Sequence, residues 1–328
     1  MANKFDVICI GSAVRDVFIL NQDLKYPHQA LSPFDPRVIG DKISIKDVYF
    51  DIGGGGSNTA ATFANLGLKT ALLSRVGDDL AGQEVLRVMK KFKVNLDLVE
   101  TDKKEETGYS IIFLNQDRDR TALVFRGAAD FKRIKKIPLH KLNARWLFIT
   151  TLNGNLTLLR QIFKTAQRKK INLAWNPGNA ELAYGQQKLK PFLKQAQVVF
   201  LNLTETKTLL KSRARKIERL FDELFKLSPT TIWCVTGGKQ GAWVGQAGKI
   251  LWAGILDKKV VNTTGAGDAF GSGFVAGLIL YHGDLTKAFQ LAMLNSNSVV
   301  TKMGAKHGLL KKPPTQKVLD KIKVKILS

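Results

Sequence analysis

Two kinds of apolar pattern divide this chain. Continuous apolar runs occupy residues 5–10, 71–73, 145–150, 171–175, 197–201 and 230–235. A strand covered on both faces reads this way, as in a parallel sheet. Between these runs, helical spacing predicts helices over 80–92, 156–168, 186–195, 204–226 and 285–301. Strand and helix therefore alternate, which predicts a three-layer α/β/α domain with a mostly parallel central sheet. The second pattern is alternation of apolar with polar positions, from Lys42 to Ile52 (Ile43, Ile45 and Val48), over 107–114 and over 121–126. Alternation marks a sheet with one face in solvent. These segments predict a small, largely polar sheet apart from the core, a lid inserted at about 15–52 and 107–127 in a domain that otherwise spans 1–328. Its last two strands meet at the charged turn NQDRDR. Residues 21–41, with Pro27, Pro33 and Pro36, predict a loop, and a hairpin is expected around Gln246-Ala247-Gly248.

Composition narrows the class. The chain has 328 residues, 45% hydrophobic and 24% charged, with two cysteines, which is ordinary for a globular protein. Cys9 and Cys234 sit in separate apolar runs, so they read as buried thiols of a reducing compartment, and the expected localisation is cytoplasmic. The longest apolar run, FVAGLILY, falls short of the ~20 residues that cross a bilayer. Asp6, Arg15 and Asp16 make the apolar start a first strand and not a leader. The net charge is +24, but the lysines and arginines are scattered over predicted helix ends and loops, Lys306 to Lys325 among them. The tail from Lys311 onward carries no aromatic residue, so the charge does not read as a nucleic-acid surface.

The stretch that carries chemistry is NTTGAGDAFGSGF, residues 262–274. Gly265-Ala266-Gly267 allows a tight turn, and the apolar helix after it points its first N–H groups and the positive end of its dipole into that turn. Asp268 lies on the first helical turn. Backbone donors beside a carboxylate suit phosphoryl transfer, the donors holding developing charge and the carboxylate taking a hydroxyl proton. An isolated motif of this kind also serves as a plain strand–helix turn with an acidic helix start. Four further sites follow strands, where open α/β sheets bind ligands. Asp16 comes just after the first strand. GGGGSN precedes a helix and places Asn58 on its first turn, with a donor and acceptors for hydroxyls. Asn202 and Glu205 follow the strand 197–201 and offer oxygens suited to hydrated Mg²⁺, while Thr236-Gly237-Gly238, continuing to Gly241, offers a hydroxyl and N–H groups for phosphate. Each has a bland counterpart: a solvated loop aspartate, a flexible hinge, a helix cap and a turn.

Taken in order, GSAVRD, GGGGSN, VGDDLAG, NLTE, VTGGKQG, NTTGAGD and VTKMGA resemble the ribokinase-like, or PfkB, carbohydrate kinases over essentially the whole chain. The resemblance implies a sheet sandwiched by helices, a lid that closes over substrate, and transfer of the ATP γ-phosphoryl group to a hydroxyl of a sugar, nucleoside or similar polyol. By matched position it implies Asp268 as catalytic base and the Gly265, Ala266 and Gly267 N–H groups as anion hole. Asp16, Gly54 and Asn58 would hold the acceptor. Thr236, Gly238, Gly241 and Asn202 would bind the nucleotide, with Asn202 and Glu205 organising Mg²⁺ through water.

The chain departs from the family pattern in two places. Asn262 stands where an Asp that helps bind potassium is usual, which removes a charge from that position. The segment 21–52 before GGGGSN is also long, so the acceptor pocket is expected to differ from that of ribose kinases. Alternatives from other classes are a nucleotide-binding fold with G-x-G-x-x-G or G-x-x-x-x-G-K-[ST], neither of which is present in place, and a non-catalytic relative acting as a regulator. A nucleoside acceptor would need a stacking wall, for which Phe18, Tyr49, Phe50 and Phe113 lie near the lid strands. A homodimer through the lid is expected from Val48, Phe50, Ile112 and Phe125, against the crowding of Lys42, Lys46, Arg118 and Arg120.

Overall fold

The computed structural model describes residues 4–20, 42, 45–114 and 120–327. The loop expected over 21–41 and most of the charged turn before Arg120, including Arg118, lie outside the described residues. Fourteen strands form two sheets among the described residues. In chain order they are β1 (Phe5–Ile10), β2 (Val14–Leu20), β3 (Asp47–Gly53), β4 (Thr70–Gly77), β5 (Asn95–Asp102), β6 (Tyr109–Leu114), β7 (Arg120–Phe125), β8 (Ala144–Ile149), β9 (Asn172–Trp175), β10 (Val198–Asn202), β11 (Ile232–Thr236), β12 (Ala242–Gln246), β13 (Lys249–Ala253) and β14 (Val324–Ile326).

The large sheet has the order β14-β13-β12-β11-β10-β9-β8-β1-β4-β5. It is parallel from β11 through β5, and β12, β13 and β14 extend it antiparallel. The continuous apolar runs follow from burial on both faces. Val7 and Cys9 of β1 face one core, formed with the helices Gly55–Asn65, Ala266–Leu280 and Leu285–Val299. Ile8 and Ile10 face the other, formed with Leu156–Lys169, Gly185–Gln195 and Ile217–Leu227. No helix among the described residues is long and apolar enough to cross a membrane.

The second sheet has the order β3-β2-β6-β7. The three alternating segments are therefore a sheet apart from the core, as their pattern predicts, but a fourth strand joins them. Asp16 lies on β2 in the middle of that sheet, not in a loop after β1. Its Cα partners are Asp51 and Ser110. β2 reads as apolar because Val17 and Phe18 are buried, and so its run merges with that of β1. Nor is the sheet largely polar, since the register turns Val17, Val48, Phe50, Ile111, Leu123 and Phe125 to its outer face. The predicted helix 204–226 is two helices, Leu203–Leu210 and Ile217–Leu227, with Lys211 left-handed between them. The short β14 and the polar β5 have no clear apolar signature.

The chain passes between the sheets at the carboxyl ends of the parallel strands, and Asp79 pins one crossing. It caps the helix Leu80–Lys91 by accepting from the Gly82 N–H at 2.7 Å. It also accepts from the Thr107 N–H and hydroxyl at 2.7 Å each, just before β6. Burial raises the pKa of this carboxyl, but the Thr107 and Gly82 bonds outweigh that and hold it below the usual aspartate value. Asp79→Ala is expected to cost about 1–2 kcal/mol, as for loss of an N-cap, read as a lower urea midpoint. Because the folded pKa is depressed, this contribution is present above the unfolded pKa of about 3.9 and is lost as pH falls through the folded value. The wild-type and mutant midpoints should therefore converge in acid, and a constant difference from pH 7 to pH 3 would contradict the assignment.

Candidate active site

Two helices begin in glycine and meet by their first turns. Gly265 (φ 80°) precedes Ala266–Leu280 and Gly54 (φ 93°) precedes Gly55–Asn65. Both conformations are left-handed and favour glycine. Space demands glycine too: a Cβ on Gly265 would lie 2.6 Å from the Ala305 side chain, and one on Gly54 2.5 Å from the Ser12 carbonyl oxygen. The turn before Gly265 is shaped by Asn262, which is buried and whose Oδ1 accepts from the Thr264 N–H at 2.6 Å. The Ala266 N–H returns to the Thr263 carbonyl at 3.2 Å. A side chain on Gly267 would meet nothing within 4 Å, so this part of the turn faces open space.

On these first turns Asn58 and Asp268 meet, 210 residues apart in sequence. Asn58 Nδ2 donates to Asp268 Oδ2 at 2.8 Å. With Asp16 they line a cavity of about 290 Å³, to which Gly54 and Gly265 also contribute. The polar lining is Ser12, Asp16, Asn58, Ser110 and Asp268. The aliphatic lining is Val14, Ile112, Ala122 and Val124, on the same face of the second sheet as Asp16 and Ser110, and Arg126 also lines the cavity. None of Phe18, Tyr49, Phe50 and Phe113 lines it. Phe18 is fully buried, and Phe50 lies under the Arg15 guanidinium, 5.1 Å from its ring centre, beside a separate groove of about 580 Å³. The aromatic wall expected for a base is therefore absent from the cavity in the described residues. Ile112 is buried and turned to the cavity, so it is not available to an outer dimer face.

Asn202, Thr236, Gly238, Gly241 and Glu205 do not line this cavity. They gather at the carboxyl ends of β10 and β11, where Asn202 and Thr236 are register partners. Asn202 and Glu205 form a reciprocal cap, Glu205 N–H to Asn202 Oδ1 and Asn202 N–H to Glu205 Oε2, each at 2.8 Å. Burial pushes the Glu205 carboxyl upward, opposed by the Asn202 N–H. Gly238 and Gly241 have φ of 58° and 86°, in the turn after β11. The helix Ala266–Leu280 packs on β10, with Phe270 and Phe274 edge-on to Phe200.

The sequence pattern offered no sign of Lys306. In sequence it is one of the basic positions between Lys306 and Lys325, yet it is 3% exposed, with Nζ donating to Asn58 Oδ1 at 2.5 Å and to the Ile52 carbonyl. Burial lowers its pKa from the usual lysine value, and the Asp51, Asp16 and Asp268 carboxylates oppose that. Cys9 lies below the site on β1. Burial pushes its thiol up to about 12, the Asp268 charge adding to the rise and a Thr59 hydrogen bond opposing it.

Comparison with known proteins follows the same outline. Residues 4–312 match the family model described as pfkB family carbohydrate kinase. A nucleoside kinase of Methanocaldococcus jannaschii is 25% identical over 326 residues, 98% of each chain. The crystal structure of a nucleoside kinase from that organism superposes with a TM-score of 0.78 at 22% identity, covering 98% of this chain and 100% of that one. The structure of Arabidopsis thaliana ribokinase with ribose and ATP also superposes with a TM-score of 0.78, at 21% identity and 98% coverage of both chains.

The environment of the cysteines yields a direct check. With Cys9 at about 12 and Cys234 raised by burial, neither thiol ionises near neutrality. A thiol reagent at pH 8 should label neither in the native protein and both after denaturation. Rapid labelling of one thiol in the folded state would contradict the burial of β1 or β11.

Proposed function

The chain belongs to the pfkB family of carbohydrate kinases, and from that premise we propose that it transfers the γ-phosphoryl group of ATP to a hydroxyl held in the 290 Å³ cavity. The observation that carries this reading is Asp268. It sits on the first turn of a helix that opens in a glycine turn, lines the cavity, and is held by Asn58. In this reading Asp268 takes the proton from the acceptor hydroxyl as that oxygen attacks phosphorus. The N–H groups of the Gly265-Ala266-Gly267 turn, that of Ala266 once it leaves the Thr263 carbonyl, and the helix dipole stabilise the charge that gathers on the transferred group. Asp16 and Asn58 hold neighbouring hydroxyls and Gly54 lets the backbone approach. Thr236, Gly238, Gly241 and Asn202 serve the nucleotide, an assignment supported by their place at adjacent strand ends.

The donor set near β10 is oxygen only, which fits a hydrated Mg²⁺. Asn202 and Glu205 each give an oxygen to their mutual cap, so they would hold the ion through water. When bound, the ion neutralises charge on the phosphates. The second sheet acts as a lid whose closure keeps water, a competing acceptor, from the phosphoryl group.

A sugar-like polyol suits the polar lining. A nucleoside is a second reading, favoured by the aliphatic lining of Val14, Ile112, Ala122 and Val124, against which a base would pack without aromatic stacking. Turnover across a panel of pentoses, hexoses and nucleosides separates the two.

Asp268→Asn should lower turnover by about 10²–10⁴, the worth of general-base assistance, while ATP affinity measured by calorimetry stays unchanged. Retention of more than about a tenth of wild-type turnover would remove Asp268 from that role. Asp16→Ala should weaken acceptor binding by roughly tenfold to a hundredfold, the loss of a charge-assisted hydrogen bond of about 1.5–3 kcal/mol. If ATP affinity fell instead, the two ends of the site would be assigned backwards. The outer face of the second sheet, with exposed Val48, Phe50, Leu123 and Phe125, supports a homodimer through the lids. Sedimentation should give a dimer for wild type and a monomer for Leu123→Lys, and a monomeric wild type ends the dimer reading.

A further inference from the structure

Lys306 is a buried cation to which the reaction just described assigns no task. It reaches the site from the loop after the helix Leu285–Val299, 248 residues from Asn58 in sequence. A charged side chain that is 3% exposed requires partners that repay its desolvation. Lys306 has acceptors at the Ile52 carbonyl and at Asn58 Oδ1, with three carboxylates around it. Asp16 and Asp51 are cross-strand partners on β2 and β3, so their side chains share a face. Two like charges placed directly opposite are unfavourable, and the ammonium stands where it offsets both.

The hydrogen-bond chemistry of Lys306 has a directional consequence. An ammonium has three donors and no acceptor. Of the two ends of the Asn58 amide, only the oxygen can face it. The Asn58 NH₂ is then forced toward Asp268, where it donates to Oδ2 at 2.8 Å. A protonated Asp268 Oδ2 would set a donor against that NH₂, so this orientation favours the ionised carboxylate. We infer that Lys306 is a positioning residue: it fixes the orientation of the Asn58 amide and through it keeps Asp268 in place as a hydrogen-bond-accepting carboxylate. The inference rests on Asp268 being the base. Among the described residues, the titratable groups around the pair include Asp16 and Asp51 from the second sheet, Cys9 from β1 and Arg126 of the cavity lining. His307 stands beside Lys306, its Nδ1 3.6 Å from Asp51 Oδ2.

The test is the pH dependence of kcat/KM for Lys306→Met, Lys306→Arg and Asp268→Asn, with folding checked by thermal melting. A carboxylate that loses a nearby positive charge and an oriented donor becomes less acidic. Lys306→Met should therefore move the acidic limb up by about one pH unit and lower kcat about tenfold or more, with KM for ATP within about twofold. Lys306→Arg, still donor-only, should keep the limb in place. A role in packing alone would lower stability and leave the limb where it is. Should Lys306→Met not fold, Lys306→Gln takes its place: its amide also accepts, so Asn58 loses its enforced orientation and the same shift is expected. An unmoved limb with kcat near wild type, in an enzyme that Asp268→Asn inactivates, overturns the role of Lys306 alone. An active Asp268→Asn overturns the base assignment, and the inference with it.

Discussion

The site depends on the head-to-head approach of two helices from distant parts of the chain. Their first turns come close enough for Asn58 and Asp268 to share a hydrogen bond of 2.8 Å. Each helix end is also fitted closely to its own surroundings, since a Cβ at Gly54 would strike the Ser12 carbonyl and one at Gly265 the Ala305 side chain. Two N-terminal ends so near each other would repel through their dipoles. The carboxylates of Asp16 and Asp268, between those ends in the same cavity, turn the repulsion into attraction. The helices stay in register because Asn295 donates to Thr62 on one and to the Ala269 carbonyl on the other.

The carboxylates that favour the helix ends create a further constraint. Asp16, Asp51 and Asp268 converge on a small volume, and Lys306 enters it from a third segment. A lysine in such a place is a counter-charge by position and an orienting group by chemistry. It is an exception to the +24 net charge, most of which lies on exposed lysines and arginines where solvent screens it. Where basic side chains do gather near the second sheet they are shared with acids. Arg87 pairs with Glu84, which also faces Arg15 at 3.9 Å.

The second sheet links these electrostatics to access. Its inner face supplies both Asp16 and the aliphatic side chains of the cavity, so one element carries a carboxylate and an apolar surface. A hydrogen bond at the crossing, from the Gly77 N–H of β4 to the Thr107 hydroxyl just before β6 at 2.8 Å, ties the sheet to the core on the side of the carboxyl ends. Movement of this sheet would therefore carry Asp16 toward or away from Asp268.

By itself the sequence determined what depends on near neighbours. Continuous apolar runs specify strands buried on two faces, alternation specifies a sheet apart, and the glycines of GAGD and GGGGSN specify turns that open helices. Gly265, Asp268, Gly54, Asn58 and Asp16 are legible for that reason, since each belongs to a local motif. Tertiary structure decided what depends on pairing. β2 joined the second sheet because of strand register, which no run of residues within β2 encodes. Ile112 turned to the cavity and Phe50 away from it by the same register, because a shift of one residue exchanges the faces. Lys306 was illegible because its meaning lies in Ile52, Asn58 and three aspartates distant in sequence. In the chain it is one lysine among many. Only the fold removes it from water and gives its donor-only chemistry something to orient.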